Sequence, residues 1–319
     1  MSAGLRTLLA RVIDYAGLFP PAKLPLDQAI RNYARYRQEP EAWMLGRFVI
    51  PAARLAELRP FVEELFASAP PLTISALGRG GSGMADFVAN FRADLDDIHA
   101  FRQQHGGRAQ VDAYEVRLPS EGVFLHSCAA LMRLLSEAAP LLRTSTGPVL
   151  CPAYEIASGS WRPQVAAMTD RDTLAGFGPF GLKLRCGGLE AAAFPPPEQV
   201  ASIIAACRDA GVPLKFTAGL HHPVRHFDAG LQTRMHGFLN VFVAGVLAHA
   251  RRLGEEQVRQ IIEDEDAAHF RFDDAGLHWN DLHASTDEIA AARRELVTSF
   301  GSCSFDEPCD DLRALGFLQ

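Results

Sequence analysis

Apolar residues along this chain follow two spacings in turn. Short β-rich or apolar runs end in Gly, Pro or a charged residue, and a longer stretch with apolar positions every three or four residues follows each. Arg47–Pro51 precedes a predicted helix over Ala53–Ser68, with Leu55, Leu58, Val62, Leu65 and Phe66 apolar. Leu72–Leu77 precedes Met84–Gln104, where Phe87, Phe91, Leu95, Ile98 and Phe101 share one face. Val111–Leu118 precedes His126–Ala138, and Val149–Ile156 precedes Gln164–Ala175. Gly181–Arg185 precedes a helix opened by Pro195-Pro196-Pro197-Glu198 and closed by Gly211, residues suited to those two ends. Val212–Thr217 precedes the apolar helix Gly237–Leu253.

Sequential strand–helix units require right-handed crossovers and a parallel sheet. An N-terminal strand near Val12–Ala16 and a late one near His269–Phe272, after an extra helix over Glu255–Asp264, complete a set of eight. The expected fold is therefore α/β, a single (β/α)8 barrel of the TIM type over residues 1–319, with extra helices and a C-terminal extension. Segments 1–25 and 299–319 are candidates for capping it. An open nucleotide-binding sheet fits less well. Gly78-Arg79-Gly80-Gly81-Ser82-Gly83 is not the dinucleotide fingerprint, and no acidic residue follows at a second strand end.

Composition narrows the class. The 319 residues are 48% apolar and 22% charged, enough hydrocarbon for a large core. The formal charge of −7, with no basic block, argues against nucleic-acid or membrane-surface binding. No run approaches the roughly 18 apolar residues of a membrane span, and the start lacks a secretory signal. Six scattered cysteines without a CxxC pair read as reduced thiols of a cytoplasmic protein.

Barrel chemistry gathers at the C-terminal strand ends, and strand parity decides which side chains converge there. One face of the fourth strand carries Val111, Ala113, Glu115 and Arg117; one face of the fifth carries Val149, Cys151, Ala153 and Glu155. The shared Ala-Tyr-Glu places Glu115 and Glu155 at similar height. Lys183 and Arg185 share a face of the sixth strand, and Lys215 and Thr217 a face of the seventh. Such a set either closes the barrel as a salt-bridge lattice or does chemistry. The two lysines favour chemistry: a desolvated amine beside another cation has a depressed pKa and becomes nucleophilic.

The segments Gly181-Leu182-Lys183-Leu184-Arg185-Cys186-Gly187-Gly188 and Pro213-Leu214-Lys215-Phe216-Thr217-Ala218-Gly219-Leu220 resemble the two-lysine pattern of deoxyribose-phosphate aldolase-like class I aldolases. The resemblance spans about residues 111–225 and implies a Schiff base on Lys183, a pKa-lowering role for Lys215 and a proton relay through Asp112. The family continues its first motif as Lys-Thr-Ser-Thr-Gly, where this chain has Lys183-Leu184-Arg185-Cys186-Gly187. A Thr144-Ser145-Thr146-Gly147 run follows Arg143 instead, and arginine forms no imine.

A second polar patch, His221-His222-Pro223-Val224-Arg225-His226, follows the seventh strand, where barrels commonly bind anions. Arg225 and Arg185 are candidate anion anchors, and His221 and His222 candidate acid/base groups. The expectation is a barrel enzyme that makes or breaks carbon–carbon bonds in a small polar metabolite bearing a carbonyl, phosphate or carboxylate, through a lysine imine and without a cofactor. Candidate catalytic residues are Lys183, Lys215, Glu115, Glu155 and Asp112. Candidate substrate-binding residues are Arg185, Thr217, His221, His222 and Arg225. One alternative is a divalent-metal-dependent sugar isomerase or lyase built on Glu115 and Glu155. Another is a non-catalytic ligand-binding barrel. The partner is a small molecule, and the apolar helix 237–253 leaves room for a homo-oligomer.

Overall fold

A computed structural model describes residues 1–68, 70–119, 128–144, 150–156, 161–170 and 179–318. Eight parallel strands close into a barrel: β1 (Ile13–Tyr15), β2 (Leu45–Pro51), β3 (Leu72–Leu77), β4 (Ala109–Arg117), β5 (Pro152–Glu155), β6 (Gly181–Arg185), β7 (Leu214–Thr217) and a last strand, Val297–Ser302. Helices lie between successive strands. Those before β6 are α1 (Ala3–Leu9), α2 (Leu26–Tyr36), α3 (Arg59–Leu65), α4 (Met84–His105), α5 (Cys128–Thr144) and α6 (Trp161–Thr169). The later ones are α7 (Pro197–Ala210), α8 (Phe238–Arg251), α9 (Glu255–Glu263), α10 (Thr286–Glu295) and α11 (Asp306–Ala314). The chain is a (β/α)8 barrel, and no helix among the described residues is long and apolar enough to cross a membrane.

Strand parity sorts the side chains. On β6 and β7, Leu182, Leu184, Leu214 and Phe216 are buried among the helices, while Lys183 and Lys215 alternate with them and point inward. Phe216 packs on Phe242 of α8, and Phe300 of the last strand stacks on Phe238. Tyr114 of β4 packs on Phe91 of α4 and donates its hydroxyl proton to Asp94 there. The hydrocarbon core thus lies between sheet and helices, and the buried ionic groups occupy the barrel's interior.

The structure corrects several expectations. The eighth barrel strand is Val297–Ser302, hydrogen-bonded to β7 and β1; residues 297–302 therefore build the barrel instead of capping it. The segment expected to be that strand, near His269–Phe272, instead supplies the short strand Phe270–Phe272. With strands Gly276–Trp279 and Leu282–Ser285 it forms an antiparallel sheet outside the barrel. The stretch 53–68 is a 3-10 helix, Ala52–Leu58, followed by α3, because Pro60 has no N–H to carry one helix through. The Thr144-Ser145-Thr146-Gly147 run and the expected helix end at 171–175 fall wholly or partly outside the described residues.

Candidate active site

At the mouth-side ends of β4–β7 the register fixes a row of charges. Arg117 pairs with Glu155, Glu155 with Lys183, and Lys183 with Lys215 on successive strands. Glu115 pairs with Ala153, one pleat deeper than Glu155, so the repeated Ala-Tyr-Glu does not set the two glutamates at one height. Both nevertheless reach the same amine. Lys183 Nζ lies 2.8 Å from Glu115 Oε2 and 3.0 Å from Glu155 Oε2.

Glu115 also holds the second lysine. Lys215 Nζ is 2.7 Å from Glu115 Oε1 and is hydrogen-bonded to Asp14. One carboxylate thus bridges two ammonium groups. Ser75 donates to Glu115, Ser299 donates to Asp14 at 2.8 Å, and the backbone N–H of Arg47 donates to Asp14 at 2.7 Å. All four main ionic groups are buried: Glu115 is 2% exposed, Asp14 0%, Lys183 4% and Lys215 6%. Burial at this depth is tolerated because each charge has opposite charges and hydrogen-bond partners.

Electrostatics here run against the expectation of a depressed lysine. Burial pulls Lys183 down, but Glu115 and Glu155 outweigh it and hold its pKa above the ordinary lysine value. Burial pushes Glu115 up, yet Lys183 and Lys215 drive it far below the usual carboxylate range. Asp14 and Glu155 are likewise lowered, against their burial, by Lys215 and Lys183 respectively. Both lysines are counter-charged, which the presence of a second cation alone did not foretell.

Above this floor opens a cavity of about 660 Å³. Glu115, Glu155, Lys183, Arg185 and Thr217 line it, whereas Lys215 is not among its described lining residues. Ala16, Phe19, Pro20 and Pro21 supply one apolar wall, so the loop after β1 does meet the mouth. The loop after β7 supplies His221 and His222. His221 Nδ1 lies 2.9 Å from Glu307 Oε2, and His222 Nδ1 is hydrogen-bonded to Asp311. Both carboxylates belong to α11, so the C-terminal helix is tied across the mouth. The loops after β6 and β7 touch backbone to backbone: Gly219 has φ +70, and a Cβ there would lie 2.6 Å from Gly187 Cα.

Of the expected residues, Glu115, Glu155, Lys183, Arg185, Thr217, His221 and His222 converge on the cavity, with Lys215 beneath it. Two do not join them. Asp112 is the extra residue of a β-bulge, since Ile74 pairs with Val111 and Ser75 with Ala113, and it bonds Arg47 Nε at 2.8 Å instead of a lysine. Arg225 does not line the cavity; it is buried and donates from Nη1 to His236 Nδ1 at 3.3 Å. Sequence reasoning overlooked Asp14, Ser75 and Ser299. Asp14 had a usable signal, a lone acid between apolar residues in a predicted strand; the two serines had none.

Glu115 and Glu155 direct their oxygens at ammonium and guanidinium groups, whose charge opposes a cation in the same place. No group of three or more His, Cys, Asp or Glu side chains among the described residues is placed to hold a metal ion. Compared with known proteins, the chain matches no family model and no curated sequence.

Proposed function

We propose that the barrel is an enzyme of carbonyl chemistry that makes or breaks a carbon–carbon bond through an imine on Lys183. The observation that carries this reading is the asymmetry of the lysine pair: Lys183 lines the cavity beside Glu155, and Lys215 sits beneath it on the other oxygen of Glu115. The reading also keeps the resemblance to class I aldolases, with Lys183 as the imine-forming residue and Lys215 as its neighbour.

Lys183 rests as an ammonium, so a proton must leave before attack. Glu155, 3.0 Å away and cavity-lining, accepts it as the substrate carbonyl enters. The free amine adds to the carbonyl carbon, and Glu155 returns the proton to the carbinolamine oxygen, which departs as water. The resulting iminium draws in the electron pair of the breaking carbon–carbon bond and becomes an enamine. The proton of the substrate's hydroxyl passes to His221, whose Nδ1 is oriented by Glu307. Reprotonation of the enamine and hydrolysis of the imine restore Lys183. Lys215 and Arg47 keep Glu115 and Asp14 ionised throughout, so the floor stays polar while the proton moves above it.

The test is borohydride reduction in the presence of candidate aldehydes and oxo acids, followed by peptide mapping. A hydride-fixed adduct is expected on Lys183, absent from Lys215, and lost in Lys183→Met. A ligand that binds in the cavity yet leaves no adduct overturns the imine. That result would favour a second reading, supported by the raised pKa of Lys183: an ammonium that stays charged and stabilises an oxyanion developing on the substrate. Under that reading Lys183→Arg retains part of the turnover, whereas the imine mechanism loses it entirely.

A further inference from the structure

Behind the Glu155–Arg185 pair lies a second, smaller cavity of about 150 Å³, too small for a metabolite but large enough for one oxyanion. It shares Glu155 and Arg185 with the main cavity, and Arg117, Gln199 and Phe194 are among its other walls. We infer that it is an anion subsite of the same active centre, so that the substrate is a carbonyl compound ending in a carboxylate or phosphate. The carbonyl half of that statement rests on the reading above; the anion half does not.

Four features of the cavity converge. Arg117 ends β4 opposite Glu155 and makes no ion pair among the described residues. Arg185 touches Glu155 Oε1 only at long range, 3.4 Å from Nε and 3.3 Å from Nη2, and its Nη1 donor has no partner among the described residues. Gln199 is 8% exposed, lines the cavity, and its side-chain amide has no hydrogen-bond partner among the described residues. The amide still opens on the cavity, and a bound oxyanion would accept its N–H in place of water. Finally, Gln199 lies in the first turn of α7, a 14-residue helix whose N-cap, Pro196, caps with no side chain and also lines the cavity. Helix N-termini carry partial positive charge suited to an anion.

The opposing charge is Glu155, and it is already neutralised from the other side by Lys183. Two guanidinium groups therefore face the cavity against one carboxylate that a third cation also holds. Planar guanidinium groups bind carboxylate and phosphate through paired hydrogen bonds, which suits either terminus. A ligand anchored there runs past Glu155 and Arg185 into the main cavity, where Lys183 waits. The anchor thereby selects substrate length as well as charge.

Calorimetric titration of the intact protein with inorganic phosphate and with acetate, at low ionic strength, tests the inference. Saturable binding is expected. Arg117→Ala should weaken it roughly tenfold, Gln199→Met several-fold, and the remote, exposed Arg294→Ala not at all. Whichever anion binds more tightly identifies the substrate terminus. Arg117 is exposed, so its replacement leaves the fold intact, and Gln199→Met keeps the volume of the buried side chain. Absence of saturable binding overturns the inference, as does binding unaffected by both variants. The two readings fail separately. Borohydride trapping of a short uncharged aldehyde on Lys183 should weaken with Arg117→Ala only as far as the loss of that cation alters Glu155, whereas trapping of a carboxylated or phosphorylated aldehyde should weaken several-fold more. Arg117-dependent anion binding without any lysine adduct removes the imine and leaves the subsite standing.

Discussion

Two buried basic groups in this barrel, Lys183 on β6 and His236 beyond β7, titrate in opposite directions. Lys183 is held above its ordinary value because Glu115 and Glu155 overcome its desolvation. His236, 1% exposed, has no carboxylate against it among the described residues; burial, with the Arg225 cation adding to it, drops its pKa from 6.5 to about 4. The imidazole is therefore neutral, with Nε2 donating to the Pro195 carbonyl at 2.7 Å and Nδ1 accepting from Arg225. The two sites also serve the same pair of loops, those after β6 and β7. One joins their strands through charge; the other ties them through a neutral hydrogen bond. Depth alone does not set the charge of a buried base. The company it keeps does.

The largest expected effect comes from removing the shared counter-charge. Glu115→Gln leaves two ammonium groups facing each other over a neutral amide and should cost about 3–5 kcal/mol in denaturant unfolding. It should also turn the direction at Lys183, so that amine-selective labelling of that residue proceeds at lower pH than in the wild-type protein. An unshifted labelling profile would mean that Glu155 alone governs the amine.

The pH response of the two sites separates them next. His236 has a folded pKa below its unfolded one, so its contribution is present above pH 6.5 and lost as pH falls towards 4, about 3 kcal/mol in all. Glu115 is also depressed, but its loss begins only below about pH 4.5. Lys183 is raised, so its contribution holds below about pH 10.5 and fades above it. Urea unfolding at pH 7 and pH 4 should show the difference between wild type and His236→Gln shrinking across that interval; a constant difference would place the tether's titration elsewhere.

Smaller effects probe the loops themselves. Gly219→Ala forces a Cβ onto Gly187 at a positive φ and should cost about 1–3 kcal/mol, read as a lowered melting temperature. Arg185→Met breaks a pair whose guanidinium is 45% exposed, so stability should change by under about 1 kcal/mol while anion binding falls. A large stability loss there would make Arg185 part of the scaffold instead of the ligand site.

The parts of the centre that could be read in advance were those governed by local periodicity. Alternation of period-two and period-3.6 patterns located seven barrel strands, and parity on β6 and β7 put Lys183 and Lys215 on the inward face. The eighth strand escaped because Val297-Thr298-Ser299-Phe300-Gly301-Ser302 is rich in small and polar residues and resembles a loop, whereas Phe270-Arg271-Phe272 has the aromatic content of a strand. Asp112 was misplaced because a bulge shifts the count by one residue, an irregularity that the pattern does not announce. Arg225 misled for a different reason: a polar loop after a barrel strand resembles an anion site, yet its arginine turns inward to His236.

What the amino-acid order determined by itself was which residues share a strand face, since a pleated backbone alternates its side chains whatever the neighbours are. It therefore selected the lysines and glutamates. Tertiary structure decided the partners: that β1 closes the barrel beside the last strand and brings Asp14 beneath Lys215, and that Glu115 stands between two amines. Charge state followed from those contacts, because the energy of a buried ion is set by atoms a few ångströms away in space and up to 285 positions away along the chain.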